Sequence, residues 1–381
     1  MKVGLVCPYG IFSPGGVKEH VLALYHELKK KDCQVKIIAP KTKEINNPDF
    51  LLLGRSARIP FPNATWGRIS LCFENQKIEK ILQKEKFDII HFHEPTVPFL
   101  SWQTLFSSKT LNIATFHSAW ESDNSLASNF EFLIKPFVEM FEKKLDGLIT
   151  VSPASKKCWQ KFFKKKMTII PNGIDLSRFN PKVKPIKKYQ DGKINLLFVG
   201  RLEKRKGLIY LLQAFAKLKK KNVRLIVIGS GPRKIEAEIF IRSSGLENVE
   251  FVGRISDAGL AKYYATADVC CFPSIGGESF GIVLLEAMAS GKPIVCFANP
   301  GYKEVLKNYP FQEGLVKPMD VGGLALSLKS LISSKSLKEK LGRWGLEEVK
   351  KYSWEKVAER VLKYYNKVRN DQNNRCSPWT D

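Results

Sequence analysis

Two glutamates in the segment 276–293 are the residues whose type and spacing most directly suggest chemistry. The segment has the sequence GGESFGIVLLEAMASGKP, so Glu278 follows a glycine pair and Glu286 lies in the apolar run that follows. Glycines let a backbone approach a ligand closely, and the free N–H groups at the start of a helix bind phosphate. Two carboxylates that accept hydrogen bonds from hydroxyl groups, beside such a phosphate cradle, predict a nucleotide-sugar site. The alternative is a glycine loop that caps an ordinary helix.

These residues need a scaffold, and the chain supplies one by alternating short β-branched runs with helical patterns. Ligands of parallel α/β sheets bind at the carboxyl ends of the strands. The sequence therefore predicts an α/β protein with two Rossmann-like, doubly wound parallel-sheet domains facing a cleft. The predicted strands are 3–9, 35–39, 88–93, 113–117, 147–152 and 168–172, and then 195–200, 223–229, 249–253, 269–273 and 293–297.

The domain boundaries follow from a change in composition. The polar stretch 181–193 is rich in lysine and proline and predicts a linker between domains at 1–180 and 194–352. A last helix over 353–370 is expected to pack back on the N-terminal domain, and 371–381 is expected to form a tail. With 381 residues, the chain is long enough for two cores of moderate size.

Composition narrows the class of protein. No apolar run approaches the roughly eighteen residues that cross a bilayer, and the start MKVGLVCPYG lacks the features of a secretory signal. We therefore expect a cytoplasmic protein that does not span a membrane. The eight cysteines contain no C-x-x-C pair, and several lie in apolar strand-like runs, which predicts buried, reduced thiols.

The net charge of +25 is the unusual bulk property, and it is spread over both halves of the chain. A spread excess argues against a nucleic-acid-binding arm. It fits attraction to an anionic lipid surface, although a lysine-rich solvated surface explains it equally well.

Two further loops at predicted strand ends carry candidate chemistry. The first leaves strand one through Gly15 and Gly16, whose amides could face a pyrophosphate. The second, 199–207, puts Arg201 and Lys206 beside the same opening, where they could neutralise a diphosphate leaving group. Within that loop we expect Lys204 and Arg205 to form a solvated basic turn. No dinucleotide fingerprint or P-loop is completed in the sequence, which argues against dehydrogenases and kinases.

The histidines at strand ends are the remaining candidates. His117 closes a strand and so points toward the cleft, where it could bind a sugar or acceptor hydroxyl, although a structural role is the commoner one. His91 and His93 share one strand face with Glu94 following, but no third metal ligand has recognisable spacing and the chain has no D-x-D pair. We therefore expect neither a metal site nor a cofactor. No Ser-His-Asp order or G-x-S-x-G elbow supports a hydrolase.

Taken in order, six segments resemble the motifs of retaining glycosyltransferases of family 4, and they extend over nearly the whole chain. They are GGVKEH, IIPNGIDLSRF, VGRLEKRKG, VIGSGP, ADVCCFPS and ESFGIVLLEAMASGKP. The resemblance implies the GT-B fold, with an acceptor-binding N-terminal domain and a nucleotide-sugar-binding C-terminal domain. The segments FDIIHFHEP, ATFH and GGESFGIVL most resemble the family's lipid mannosyltransferases. That implies transfer of mannose from GDP-mannose to phosphatidylinositol or a related lipid, by a peripheral protein on the inner face of the cell membrane.

The resemblance also implies roles for individual residues. The catalytic residues would be Glu278, His117, Arg201 and Lys206. The donor-binding residues would be Gly15, Gly16, Arg201, Lys206, Asp257, Glu278, Ser279, Phe280, Gly281, Ile282 and Glu286. The acceptor-binding residues would be Tyr9, Arg68 and His117. In this family the leaving diphosphate is thought to take the acceptor proton without a protein nucleophile, so the protein mainly positions groups and stabilises charge.

Some departures from the family pattern leave alternatives open. Leu260 stands where a basic neighbour of Asp257 is expected, so the donor base is open. The helix NQKIEKIL keeps Lys77 and Lys80 but has a weaker basic face, which the apolar stripe within 128–144 could offset as an interfacial helix. For that stripe, packing on its own sheet is the alternative. Its residues are Phe130, Leu133, Ile134, Phe137 and Phe141.

Other functions also remain open at this point. The nearest is a family 4 hexosyltransferase acting on a surface polysaccharide or a soluble acceptor. A different class would be a GT-B nucleotide-sugar epimerase or a non-catalytic binding module.

Overall fold

The computed structural model describes residues 1–12, 15–42, 45–60, 66–119, 137–218 and 220–376; side chains are not described at 57–60, 66–70, 257, 375 and 376. The chain forms two compact units. Unit 1 comprises residues 1–173 and the segment from Trp354 onward, and unit 2 comprises residues 174–353. The stretch 181–193, expected to be a linker, therefore lies within unit 2. There the ring of Tyr189 is buried and its hydroxyl donates to Glu250 (2.8 Å), which composition alone did not reveal.

Unit 1 is built on an eight-stranded sheet in the order β4-β3-β2-β1-β5-β6-β7-β8. Neighbouring strands are parallel except β3 and β4, which are antiparallel. The strand order reverses between β1 and β5, so this is the switch point at which such sheets bind ligands. The strands are β1 (Lys2–Val6), β2 (Gln34–Lys41), β3 (Phe50–Pro60), β4 (Trp66–Leu71), β5 (Ile89–His93), β6 (Leu111–Phe116), β7 (Gly147–Thr150) and β8 (Thr168–Ile169).

Helices cover the sheet of unit 1, and the last of them comes from the far end of the chain. Val357, Val361 and Tyr365 of that helix are buried in the same apolar cluster as Val3 and Leu24. The helix continues to Cys376, six residues into the expected tail. Residues 137–144 are also helical. The helices with printed bounds are Gly16–Lys30, Asn75–Glu85, Leu100–Ser107, Pro153–Trp159 and Trp354–Cys376.

Unit 2 has a six-stranded, fully parallel sheet in the order β11-β10-β9-β12-β13-β14, with its switch point between β9 and β12. The strands are β9 (Ile194–Val199), β10 (Val223–Ile228), β11 (Val249–Gly253), β12 (Val269–Phe272), β13 (Ile294–Phe297) and β14 (Leu315–Val316). The α-helices are Leu208–Leu218, Lys234–Ser243, Asp257–Thr266, Ile282–Ala289, Pro300–Val305, Val321–Ser333 and Lys335–Glu348.

The prediction of two Rossmann-like parallel-sheet domains is confirmed, with one correction at the edge of the first sheet. There β3 and β4 form an antiparallel pair that the sequence pattern did not predict. The predicted burial of the thiols also holds for the cysteines whose side chains are described, since all seven are buried. Over the described part of the chain, every helix is too short or too polar to cross a membrane.

Candidate functional site

The Glu278 side chain lies at the switch point of unit 2, in the loop after β12. Its Oε1 accepts hydrogen bonds from Lys206 Nζ (2.6 Å), Arg205 Nη1 (3.0 Å) and Ser274 Oγ (2.8 Å). Burial alone would raise the pKa of the Glu278 carboxyl, but the charges of Lys206 and Arg205 outweigh it and hold the pKa below its usual value. The side chain is only 10% exposed, so this is an ionised carboxylate inside a shielded cluster of cations.

The basic turn beside Glu278 differs from the prediction at one residue. Lys204 is exposed, as expected for a solvated turn, but Arg205 is partly buried and pairs with Glu278 and with Glu203. Arg201 is half exposed and pairs with Glu203 (2.7 Å). Three cations thus face two carboxylates, and the cluster keeps a net positive charge. Such a cluster can hold an anionic leaving group, and the sequence pattern missed both Arg205 and Ser274 in it.

Glycines shape the loop that carries Glu278. Gly281 has a φ of 100°, and a Cβ there would lie 2.5 Å from the ring of Tyr302. A Cβ on Gly301 would lie 2.2 Å from the main-chain oxygen of Glu278. Gly281 is also the N-cap of the helix Ile282–Ala289, and no side chain caps the free N–H groups of its first turn. The loop therefore combines a tight packing constraint with amides that can face an anion.

The other predicted donor-binding residues of this loop fall into two kinds. Ser279 and Ile282 are partly exposed, whereas the Phe280 ring is buried against Tyr352 and leaves only its main chain for a ligand. Glu286 is the fifth residue of this helix and lies about one turn from its start. Its Oε2 accepts a hydrogen bond from the Tyr264 hydroxyl (2.8 Å), which orients the carboxylate.

In unit 1, the glycines and Tyr9 lie where the chain leaves β1. Gly15 precedes the helix that begins at Gly16, and no side chain caps that helix start. A Cβ on either glycine would meet no atom within 4 Å, so there is open space beside this backbone. Burial raises the pKa of the partly buried Tyr9 well above its usual value, with Glu94 and Cys7 adding to the shift.

The histidines at the switch point of unit 1 form a network of neutral rings. Both nitrogens of His91 are bonded, to Tyr365 (2.6 Å) and Thr115 (2.7 Å), so His91 has a structural role. Nδ1 of His93 and Nε2 of His117 share a hydrogen bond of 3.0 Å. Desolvation lowers the pKa of His91 to about 3, and it holds the pKa of His93 and of His117 well below the usual value. His117 is therefore a neutral ring that can donate or accept a hydrogen bond at neutral pH.

His20 joins this network although the sequence pattern did not select it. Its Nδ1 lies 3.0 Å from Oδ1 of Asn172, and burial lowers its pKa to about 4. Nitrogens of His20, His93 and His117 lie within 4.8 Å of one another. The spacing of His91 and His93 gave no sign of this third ring, because His20 comes from the helix Gly16–Lys30 and only the fold brings it beside His93 and His117. The hydrogen bond between His93 and His117 explains why these two rings lie together.

Several predicted site residues cannot be placed fully. Arg68 lies in β4 and Asp257 begins a helix, but both side chains are outside the described residues. The predicted apolar stripe is only partly described, since Phe130, Leu133 and Ile134 lie outside. Of the rest, Phe141 is buried against Trp102 (ring centroids 5.3 Å apart), as the packing alternative requires, and Phe137 is 39% exposed.

Comparisons with known proteins match most of the length of the chain. The model for glycosyl transferases group 1 matches residues 180–347, and the model for glycosyltransferase family 4 matches residues 14–178. The chain is 33% identical to the phosphatidyl-myo-inositol mannosyltransferase of Mycobacterium leprae (strain TN) over 374 residues, 97% of each protein. It is 26% identical to the alpha-monoglucosyldiacylglycerol synthase of Streptococcus pneumoniae, with 96% of this chain and 85% of that one covered.

Among solved structures, Anabaena Alr3699/HepE in complex with UDP and glucose is similar, with a TM-score of 0.74 at 17% identity. The match covers 96% of this chain and 99% of the other. At that identity the likeness shows a shared fold.

Proposed function

Because this chain belongs to glycosyltransferase family 4, we propose that it is a retaining α-mannosyltransferase that moves mannose from GDP-mannose onto phosphatidylinositol or a related membrane lipid. The observation that carries the transferase activity is the buried carboxylate of Glu278 held by Lys206 and Arg205. The mannose and the lipid acceptor are supported by the relative named phosphatidyl-myo-inositol mannosyltransferase, which aligns over 97% of the chain.

The proposed chemistry breaks the bond between the anomeric carbon and the diphosphate oxygen and forms a bond to an acceptor hydroxyl oxygen. Lys206, Arg205 and Arg201 stabilise the charge that develops on the leaving diphosphate. That diphosphate accepts the proton of the acceptor hydroxyl, so no protein nucleophile is required. The protein accelerates the reaction by holding both reactants in place.

The remaining side chains are proposed to orient the two substrates. Ionised Glu278 accepts hydrogen bonds from hydroxyls of the transferred sugar, and Glu286 accepts from the ribose. The amide of Gly16 faces the diphosphate. On the acceptor side, Tyr9, Arg68 and the neutral ring of His117 contact the inositol phosphate and its hydroxyls.

We further propose a location at the inner face of the cell membrane and a reaction without a resident metal or other cofactor. The support for the location is the net charge of +25, because a basic surface is attracted to anionic lipid head groups. Metal analysis of the purified protein, together with an assay after exhaustive chelation and dialysis, tests the second proposal. Residual activity that requires one equivalent of bound metal would contradict it.

The decisive experiment is radiolabelled sugar transfer from GDP-mannose and from UDP-hexoses, with and without phosphatidylinositol vesicles. Glu278→Ala should abolish the signal and Arg201→Ala should reduce it sharply, while Lys204→Ala, a change at an exposed neighbour in the same turn, should leave it unchanged. Mannose in the lipid fraction, lost in Glu278→Ala and reduced in Arg201→Ala, supports the proposal.

Other outcomes of this assay separate the rival functions. Transfer only from UDP-hexoses, or only to soluble acceptors, would keep the family and overturn the substrate. Conversion of a nucleotide sugar without any acceptor would indicate an epimerase. Nucleotide binding without turnover would indicate a binding module.

A further inference from the structure

Glu94 is a buried carboxylate at the switch point of unit 1 that has no part in the chemistry proposed above. It directly follows β5 and is 5% exposed. Its φ of 53° lies in the left-handed region, where a residue other than glycine is strained. Its main-chain N–H donates to the oxygen of Thr115 (2.9 Å), so the strained conformation is held by the neighbouring strand. Strain of this kind persists only where the surroundings fix the residue in place.

One oxygen of Glu94 holds the turn that follows β6. Oε1 accepts the main-chain N–H groups of His117 (2.8 Å) and Ser118 (2.7 Å), and Oε2 accepts from the Ser118 hydroxyl (3.3 Å). These N–H groups lie just beyond Phe116, the last residue of the strand. The carboxylate thus continues, by a side chain, the hydrogen bonding that the sheet supplies up to that residue.

The same turn is held from its other side by two residues of the helix Pro153–Trp159. Ser155 Oγ (2.9 Å) and Trp159 Nε1 (3.1 Å) both donate to the main-chain oxygen of Ser118. The peptide groups on both sides of the turn are therefore fixed. As a result, the His117 ring is positioned so that its Nε2 lies 3.0 Å from Nδ1 of His93.

We propose that Glu94 is a positioning residue for His117, and that its carboxylate fixes the main chain from which His117 presents its ring to an acceptor hydroxyl. The proposal rests on the proposed function only in the contact between His117 and substrate. Because both oxygens of Glu94 are bonded to the turn, its role is to hold that turn. The main-chain N–H groups of the turn donate only to Oε1 of Glu94. Glutamine retains an oxygen at this position, whereas the shorter side chain of aspartate does not reach it.

Three substitutions at one position test this proposal. Glu94→Gln should keep kcat and the acceptor KM within about threefold of the parent, because an amide oxygen can accept both N–H groups. Glu94→Asp and Glu94→Ala should lower kcat/KM for the acceptor by roughly 10- to 100-fold, the range that a misplaced group about 1 Å from its position produces. Ser118→Ala removes only the Oε2 contact and should behave like the parent.

Nucleotide affinity is the matched control, since the donor residues of unit 2 are untouched by these changes. GDP and UDP dissociation constants should stay within about twofold in every variant, and a variant that has unfolded would fail this control and show a changed melting curve. If Glu94→Ala fails to fold, the comparison of glutamine with aspartate still decides. A glutamine variant as poor as the alanine variant would overturn the proposal, as would an aspartate variant equal to the parent.

A second measurement tests whether Glu94 holds the turn after β6, and it needs no assay of sugar transfer. Protein labelled with [15N]histidine has only five such residues, so the His117 amide can be followed on its own. Its hydrogen exchange should be at least about tenfold faster in Glu94→Ala and Glu94→Asp than in the parent and Glu94→Gln, because an N–H bonded to a buried carboxylate is protected. Equal protection of the His117 amide in all four proteins would show that Glu94 does not hold the turn and would overturn the proposal. If the parent transfers no sugar, the proposed function fails, and this exchange measurement still decides the role of Glu94.

Discussion

The two switch points carry opposite electrostatics, although both lie at the carboxyl ends of parallel strands. In unit 2, burial of Glu278 is compensated by the neighbouring Lys206 and Arg205, and its carboxylate stays ionised. In unit 1, the hydrogen-bond partners that the structure describes for these rings are uncharged, so desolvation keeps the rings neutral. The difference shows how the same kind of sheet edge can carry a charged cluster in one unit and neutral rings in the other, which suits the anionic leaving group and the uncharged hydroxyls of the proposed reaction.

Removing the carboxylate of unit 2 should have the largest effect on turnover. Glu278→Gln should lower kcat by about 10³-fold, because a charged contact made in the transition state is lost. GDP affinity should stay equal or increase, since Lys206 and Arg205 are no longer neutralised. Calorimetric GDP titration beside the transfer assay measures both. A loss of GDP binding in parallel with activity would mean that the cluster only maintains the fold.

Removing one cation should have a smaller effect than removing the carboxylate. Lys206→Ala should reduce kcat/KM for the donor by about 10²-fold, because one of the three positive charges proposed to stabilise the diphosphate is gone. Lys204→Ala should stay within about twofold, since Lys204 is exposed. Steady-state kinetics with varied donor compare the two. Similar losses in both variants would point to bulk surface charge in place of a specific contact.

Two glycines sharpen the comparison between the units. Gly281→Ala should destabilise the protein by about 2 kcal/mol, because alanine is strained at a φ of 100° and its Cβ would clash with Tyr302. Gly16→Ala should leave the melting temperature unchanged, since nothing of the protein lies within 4 Å of the new Cβ. If the Gly16 amide faces the diphosphate, donor affinity should still fall about tenfold. Thermal melts and donor binding separate these effects, and unchanged affinity would remove Gly16 from the donor site.

The pH dependence of stability should distinguish the two units most subtly. The pKa of His20 is lowered to about 4 and that of His91 to about 3, so the unfolded chain binds more protons below pH 6.5 and unit 1 loses stability as the pH falls toward 4. In unit 2, the pKa of Glu278 is below 4.5, so its contribution is lost only at lower pH. Hydrogen exchange followed by mass spectrometry from pH 7.5 to 4.5 should show unit 1 opening first. Simultaneous opening of both units would contradict this.

Between pH 7 and 4.5, the titration of Glu94 changes the stability of unit 1 in the opposite direction to the titration of the histidines. Burial raises its pKa from 4.5 to about 7, so the stability it contributes is present below pH 4.5 and is lost as the pH rises through 7. Tyr9 and His117, the titratable groups beside it, remain neutral throughout. Glu94→Gln should therefore steepen the fall of stability on acidification, as measured by melting at each pH. A shallower fall would show that the Glu94 carboxyl does not titrate in this range.

The sequence predicted the repeated strand–helix pattern because buried parallel strands are continuous apolar runs that stand out locally. It missed β3 and β4, where arginine, glycine and proline interrupt the pattern at a sheet edge, and β14, which has only two residues. The strand that pairs antiparallel at that edge had no local signal of its direction.

The site was predictable only where one segment holds its chemistry. Glu278, Glu286 and Lys206 could be selected from local motifs. Contacts between distant segments could not be selected in this way: Arg205 is hydrogen-bonded to Glu278 across 73 positions, and the His117 main chain to Glu94 across 23. Spacing along a chain cannot report a contact that depends on which strands become neighbours.

The return of the last helix to unit 1 has a consequence for biosynthesis. A ribosome completes unit 2 at Ser353, before it has made the helix Trp354–Cys376 that fills part of the core of unit 1. During synthesis, residues 1–173 of unit 1 therefore expose an apolar surface until the last helix is made, whereas unit 2 can already fold. Premature termination near residue 353 would leave the later domain whole and the earlier one incomplete, so the N-terminal half is the part that quality control would detect as unfinished.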